Sequence, residues 1–189
     1  MDLFSRIADR YDKIIRSSAV EEFKSFINLK SDEILVDLGG GTGRVALVLE
    51  KMTNGCVLLD RSFEMLKQAK KKSNSLILVQ GVGEALPFRK DTIPQIFAND
   101  TLHHILKQEE TLAECYEVMM KSGYFTIREF DPKYWKTKFL IFFEKVLMFG
   151  STFLSPQKLE DMCKEIGFSV NWQRLTKSTY MLEAMKNSP

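Results

Sequence analysis

The sequence predicts an α/β fold, a largely parallel sheet covered by helices with an antiparallel hairpin added at its end. Three observations carry this. Through the middle of the chain, short β-branched or apolar runs alternate with runs of helical period, the rhythm of strand–helix–strand units. A glycine-rich stretch, Gly39-Gly40-Gly41-Thr42-Gly43, joins the first apolar run to the first helical one. Near the end, two strand-like runs are separated only by Lys177-Ser178, too short a join for a crossover helix, so they pair antiparallel.

Each element has its own reason. Strands are predicted at Glu33–Leu38, Cys56–Asp60, Leu76–Gln80, Gln95–Asn99 and Gly123–Phe130, all short runs rich in Val, Ile, Leu and Phe. Helices fill the gaps at Arg44–Met52, Phe63–Ser73 and Glu109–Met120, the last with Leu112, Cys115, Tyr116 and Met119 at helical spacing. Ser155 is placed to cap a helix with Pro156 at its first position; Leu159, Met162, Cys163 and Ile166 then repeat on one face until Gly167 closes it. The hairpin strands follow at Ser169–Thr176 and Thr179–Met185. At the front, Phe4, Ile7, Ala8 and Tyr11 share one face of an amphipathic segment, and Phe23, Phe26 and Ile27 share another. With no repeat or low-complexity linker in sight, residues 1–189 are expected to form a single domain, with 1–30 as an N-terminal helical cap and 132–154 as a helical insertion able to act as a lid.

Composition narrows the function. The chain of 189 residues is 44% hydrophobic and 28% charged, ordinary for a globular protein. Its 27 Lys and Arg nearly balance 25 Asp and Glu, so a net +2 gives no argument for nucleic acid. The one basic run, Lys70-Lys71-Lys72, reads as the solvated end of a helix. Cys56, Cys115 and Cys163 are odd in number and far apart, and the two histidines, His103 and His104, stand away from them. Neither a disulfide framework nor a metal site is expected, and a reducing cytoplasm fits. The greasiest stretch, Phe139 to Phe149, is interrupted by Glu144 and Lys145 and falls well short of the roughly 20 residues that span a bilayer. Peripheral membrane contact stays open.

The sharp motif is Val36-Asp37-Leu38-Gly39-Gly40-Gly41-Thr42-Gly43-Arg44. Glycine at a strand-to-helix turn lets the chain bend tightly and lets a ligand approach the backbone. Gly41-x-Gly43-x-x-Ala46 also satisfies the dinucleotide pattern, and Asp60 follows Gly43 by seventeen positions, near where a ribose-binding acid is expected. An NAD-linked oxidoreductase is thus one reading. Against it stands Asp37, which would repel a diphosphate at the helix N-terminus and attract a cation instead. S-adenosylmethionine (SAM) carries a sulfonium and an ammonium and no phosphate. It suits an acid followed by glycines, with Asp60 accepting from the ribose hydroxyls.

With Asp37-x-Gly39-x-Gly41-x-Gly43, Asp60, Leu86-Pro87-Phe88 and Leu102-His103-His104-Ile105 in order between about Leu35 and Phe130, the chain resembles the class I SAM-dependent methyltransferases. The resemblance implies a Rossmann-like mixed seven-stranded sheet with helices on both faces and a C-terminal antiparallel hairpin. It implies SAM as cofactor, with S-adenosylhomocysteine as product. The residues it points to are Tyr11, Asp37, Gly39, Gly41, Asp60, Arg61, Gly83, Glu84 and Asn99. One departure is Val82, which stands where the family usually has an acid facing the adenine amino group. The ends, Phe4-x-x-Ile7-Ala8-x-x-Tyr11-Asp12, Glu129-Phe130 and Ser155-Pro156-x-x-Leu159, are similar to the ubiquinone/menaquinone-biosynthesis C-methyltransferases. Lys13-Ile14 and Met120-Lys121-Ser122-Gly123 depart from that pattern.

These features favour a methyltransferase of a small, lipophilic, quinone-like acceptor over a SAM-binding protein without catalysis. Asn99-Asp100-Thr101-Leu102 lacks the Asn-Pro-Pro-Tyr character of enzymes that methylate base amines, which argues against nucleic acid. His103 and Glu129 are the candidates for catalysis, although positioning is the expected role of the histidine pair, and Glu129 and Asp131 are expected to satisfy the end of their strand. The apolar run Phe139–Phe149 is expected either to roof the acceptor pocket or to make a core or homodimer contact.

Overall fold

The computed structural model describes residues 27, 29–135, 137–138 and 151–187. The front segment bearing Phe4, Ile7, Ala8 and Tyr11, the residues Phe23 and Phe26, and the run Phe139–Phe149 lie outside these described residues.

Seven strands form one mixed sheet. In chain order the elements are β1 (Leu35–Leu38), α1 (Ala46–Leu49), β2 (Cys56–Asp60), α2 (Phe63–Lys72), β3 (Ile77–Gln80), β4 (Ile93–Asn99), α3 (Gln108–Val118), β5 (Met119–Phe130), α4 (Pro156–Ile166), β6 (Phe168–Arg174) and β7 (Thr179–Lys186). The spatial order is β3-β2-β1-β4-β5-β7-β6. The first five strands are mutually parallel; β7 runs antiparallel to β5, with Tyr124 opposite Met185 and Phe130 opposite Thr179, and β6 runs antiparallel to β7.

Alternation along the strands sends side chains to two cores. Leu35, Leu58, Phe97 and Met181 pack on one face with Ala46 and Leu49 of α1 and Leu66 and Ala69 of α2. Val36, Leu59, Ile96, Phe125, Ile127 and Leu182 pack on the other with Leu112 and Cys115 of α3 and Leu159 and Met162 of α4. A parallel sheet buried on both faces needs nearly continuous apolar strands, and β1 and β2 are buried along their whole length.

The caps work as their residue types dictate. The Ser62 hydroxyl accepts from Met65 N–H at the start of α2. Ser155 accepts from Lys158 N–H at the start of α4, with Pro156 at the first turn and Gly167 closing that helix in the left-handed conformation. Lys186, at the end of β7, is buried. Its ammonium bonds to the Asp91 carboxylate at 2.6 Å, to the Tyr116 carbonyl at 2.7 Å and to the Met119 carbonyl at 2.9 Å, tying the last strand to the foot of β5.

Several predicted boundaries need correction. The helix expected over Arg44–Met52 is regular only from Ala46 to Leu49. Val45 supplies no side-chain cap, and Val48, Lys51 and Met52 donate three residues back rather than four, so tighter turns replace α-helix at both ends. The helix expected over Glu109–Met120 stops at Val118, and Met119-Met120 begin β5, because Met119 pairs with Ile93 across a register shift. Ser122 at φ 59 and a closely crowded Gly123 make that shift. Pro94 is accommodated at the same irregularity, so β4 starts at Ile93 instead of Gln95. The hairpin turn is longer than two residues: β6 ends at Arg174, and the Thr176 hydroxyl accepts from the Ser178 and Thr179 amides.

Candidate active site

The order β2-β1-β4 reverses direction at β1, so the loops leaving the carboxyl ends of β1 and β4 diverge and open a crevice between them. A cavity of about 430 Å³ occupies it. Its wall takes residues from the loops after β1, β2, β3 and β4 and from Phe130 at the end of β5.

The glycine turn is the floor. Gly39, Gly41 and Gly43 all have left-handed backbones, with φ of 69°, 57° and 77°. At Gly39 there is a second reason for glycine: an added Cβ would lie 2.2 Å from Thr101 Cγ2, and the Thr101 hydroxyl donates to the Gly39 carbonyl, so the β1 and β4 loops press together there.

Two acids sit beneath this turn. Asp60 accepts from Gly41 N–H at 2.9 Å through one oxygen and from Ser62 N–H at 2.8 Å through the other, so the ribose-binding acid expected from the sequence also holds the glycine loop in shape. Asp37 is 1% exposed, and its Oδ2 has no hydrogen-bond partner. Burial first, and the Asp60 charge second, push its carboxyl up to about 7. A buried carboxylate oxygen without a donor is costly unless a cation or a donor comes to it. This pair of acids fits a cofactor that is positively charged and lacks phosphate, and it disfavours a diphosphate.

At the other end of the cavity, Arg128 of β5 donates to both oxygens of Asp100, at 2.5 and 2.6 Å. Asp100 has φ 50°, and its carboxyl is raised to about 6, chiefly by burial and against the opposing pull of Arg128. Asn99 donates from its amide nitrogen to Asp100, and its own carbonyl oxygen is buried without a partner. His103 and His104 follow in a single 3-10 turn, Leu102–His104. The His103 Nδ1 lies 2.6 Å from Glu129 Oε2, and the His103 backbone N–H donates to Glu129 Oε1 at 3.3 Å. The His104 Nδ1 meets the Ser151 hydroxyl at 3.0 Å; burial, then the neighbouring His103, lower its pKa to about 3, which keeps it neutral.

Of the residues singled out from the sequence, Asp37, Gly39, Gly41, Asp60, Arg61, Gly83, Glu84, Asn99 and His103 border this one cavity. Glu129 stands behind His103, and Tyr11 lies outside the described residues. Val82 is 45% exposed at the rim, and the neighbouring Gly83 packs so closely on Thr111 that a Cβ would come within 2.7 Å of it. Asp131, by contrast, accepts from Lys133 N–H and from Arg174. Sequence reasoning missed Arg128, and it read Ser151–Leu154 as part of the helical insertion 132–154 where the structure has a loop. The first is hidden in an apolar strand; the second is a loop whose role comes from long-range bonds. Thr152 N–H donates to the His103 carbonyl, Gln108 donates to the carbonyls of Leu102 and Thr152, and Phe153 stacks on the His103 ring at 4.3 Å. Among the described residues no group of His, Cys, Asp or Glu is arranged to hold a metal ion.

Residues 36–127 match the methyltransferase-domain family. With the seven-stranded order, the acid-and-glycine turn and the cavity at the β1/β4 crevice, this makes the chain a class I SAM-dependent methyltransferase, with SAM as cofactor. Within that class it is similar to enzymes of the ubiquinone/menaquinone-biosynthesis type. It is 25% identical to the demethylmenaquinone methyltransferase of Thermus thermophilus, over 92% of this chain and 94% of that protein. It is 30% identical to the ubiquinone/menaquinone biosynthesis C-methyltransferase of Rickettsia prowazekii, over 69% of this chain and 60% of that protein. A SAM-dependent methyltransferase structure from Thermotoga maritima superimposes with a TM-score of 0.81 at 18% identity, covering 97% of this chain and 98% of that one, a likeness of fold.

Proposed function

We propose that the chain methylates a small, lipophilic, quinone-like acceptor. The carrying observation is the mixed lining of the cavity: acids and glycines from the loops after β1, β2 and β3 share it with Ile105, Leu106, Phe130 and the two histidines from the segments after β4 and β5. The named relatives act on quinone precursors according to their names, which supports the same acceptor class here.

In this reading Asp37 receives the positive charge of SAM, Gly39 and Gly41 let it lie against the backbone, and Asp60 and Arg61 face its ribose. Gly83 and Glu84 border the adenine, Asn99 meets the cofactor from the loop after β4, and Tyr11 folds over the cofactor. When bound, SAM supplies an electrophilic methyl group on sulfur. The chain's part is then to align an acceptor with that methyl in a dry cavity, work that requires no covalent enzyme group. The whole chain is read as one domain, with 1–30 as a cap and 132–154 as a lid over the acceptor, in a cytoplasmic protein. No helix among the described residues is long and apolar enough to cross a membrane.

Calorimetry with SAM, S-adenosylhomocysteine and NAD, paired with a labelled-methyl assay on reduced naphthoquinone, tests the reading. SAM binding with label transfer is the expected result; NAD binding without SAM binding would overturn it. Vesicle flotation and sedimentation of the same preparation test peripheral membrane contact and a homodimer.

A further inference from the structure

We infer that Gln108 is a positioning residue for the acceptor: by locking the strap Ser151–Leu154 onto the turn Leu102–His104, it fixes the stretch of cavity wall against which an acceptor ring is selected. The inference rests on the acceptor class proposed above. It adds a residue that stands behind the wall and decides which acceptor the wall fits.

Gln108 opens α3, is buried, and does not border the cavity. Its amide nitrogen gives one N–H to the Leu102 carbonyl at 2.9 Å and the other to the Thr152 carbonyl at 2.8 Å. A primary amide has two N–H donors, so both are used, and they join carbonyls far apart in the chain. The Leu102 carbonyl also takes the Ile105 N–H at 3.0 Å, which closes the turn. Gln108 thus acts on the carbonyl that shapes the turn, and the four residues from His103 to Leu106 all border the cavity. Leu106 is 78% exposed, so packing does little to hold it and the backbone of the turn sets where it stands.

The strap is fastened to that turn at each of its first three residues. The Ser151 hydroxyl lies 3.0 Å from His104 Nδ1, Thr152 N–H donates to the His103 carbonyl at 2.8 Å, and the Phe153 ring stacks on His103 at 4.3 Å, 15° from parallel. At its fourth residue the Leu154 carbonyl accepts the Tyr180 hydroxyl of β7 at 2.9 Å. Thr152 is exposed and the other three are half-buried, so apolar burial contributes little and the strap depends on these directed contacts. Gln108 completes them. Thr152 gives its N–H to the turn and its carbonyl takes the N–H of Gln108, so turn, strap and α3 hold one another.

Choice among acceptors is a difference in how well each one fits the same wall. Alignment with a methyl donor is sensitive, because a displacement of about 1 Å in a positioning group costs about 100-fold in rate. The cofactor side is fastened separately: Asp60 is held by Gly41 and Ser62, and Gly39 by Thr101. A change at Gln108 therefore falls on the acceptor and spares SAM. Glutamate has the size of glutamine but brings oxygen to the place where two carbonyls need a donor. Gln108→Glu breaks both bonds at constant volume and sets a charge against the two carbonyls, while Gln108→Met removes the donors without adding charge.

The test uses the full chain, saturating SAM and two diols kept reduced under argon, 1,4-dihydroxynaphthalene and the smaller 1,4-dihydroxybenzene. Gln108→Glu should raise KM for the naphthalene diol by about tenfold or more and change the ratio of kcat/KM between the two rings by about fivefold or more. SAM affinity by calorimetry should stay within about twofold of wild type. Gln108→Met should move KM and the ratio the same way by less. Phe153→Leu leaves both Gln108 bonds in place and removes the ring stacked on His103; it should also change the ratio, and it decides the matter if Gln108→Glu fails to fold. A Gln108→Glu protein that melts at a lower temperature but keeps the wild-type KM and ratio has lost only stability and overturns the inference, as does an unchanged ratio in Phe153→Leu. Wild-type protein that binds SAM but methylates neither ring would instead overturn the proposed acceptor class, and the role of Gln108 with it.

Discussion

Replacing Asp37 with Asn should make the protein more stable and bind its cofactor less well. In the fold this carboxyl has a pKa of about 7 against 3.8 in an ordinary setting. The folded chain therefore holds the proton more tightly than the unfolded chain does. Below pH 3.8 both forms are protonated and the residue costs nothing. Between pH 3.8 and 7 the cost grows with each unit, and above 7 it levels off. At about 1.4 kcal/mol per unit, the shift of roughly three units corresponds to a ceiling of about 4 kcal/mol. Asp37→Asn removes the ionisation, so at pH 8 the apo variant should gain up to that amount, whereas at pH 4 it should match the wild type. The proposed SAM contact acts in the opposite direction: losing a charge-assisted partner worth about 1.5–3 kcal/mol should weaken binding by about 10-fold to 100-fold. Chemical denaturation of both proteins from pH 4 to 8, with calorimetric titration of SAM at pH 8, measures both effects. The wild type should also lose SAM affinity as pH falls below 7, by no more than tenfold per unit, since one proton competes. A variant less stable than wild type at pH 8, or one with unchanged SAM affinity, would refute the reasoning.

Other positions give sharper single readouts. Gly39→Ala combines a left-handed backbone with a Cβ 2.2 Å from Thr101 Cγ2, so it should cost about 2–4 kcal/mol and SAM binding with it; a melting temperature within 2 °C of wild type, taken as about the resolution of the scan, would count against that packing. Lys186→Met strands the buried carbonyl of Met119 and the half-buried one of Tyr116, and a loss of about 2–4 kcal/mol in denaturant is expected with SAM affinity unchanged. Cys56, Cys115 and Cys163 are buried free thiols, and burial pushes the Cys163 thiol up to about 12; an aromatic disulfide reagent at pH 8 should label none of them in native protein and all three once it is unfolded.

The parts of the fold that could be read from sequence are those specified by local chemistry. The order of strands and helices, the Ser155-Pro156 start and the Gly167 end of α4 each depend on residues adjacent in the chain, and each stands where the sequence puts it. Boundaries slipped where a distant strand decided them. Met119 and Met120 have good helical propensity, yet pairing with Ile93 draws Met119 and its neighbour into β5. The cavity shows the same division. Asp37 and the glycines are a contiguous motif and could be read directly. Arg128 looks like one polar residue in a strand and becomes informative only when Asp100, 28 positions away, meets it. The Glu129–His103 contact likewise joins residues 26 positions apart, so neither member signals the other in the linear sequence.

The placement of β7 bears on how the chain acquires its site. It is the last strand in chain order, yet it lies between β5 and β6. As the chain leaves the ribosome, β1 to β5 can assemble with β5 as an open edge, and that edge stays unpaired until residues 179–186 emerge. Glu129 is paired with Tyr180 in that final register, so the strand that positions the His103–Glu129 contact gains its second neighbour in the last step of synthesis of this segment. The part of the cavity proposed to hold the cofactor, built on β1, β2 and β4, requires none of this. A nascent methyltransferase could therefore hold its methyl donor before the part of the cavity that faces the acceptor is formed, and pulse-labelled chains halted after residue 150 should be retained on immobilised S-adenosylhomocysteine if the order is as described.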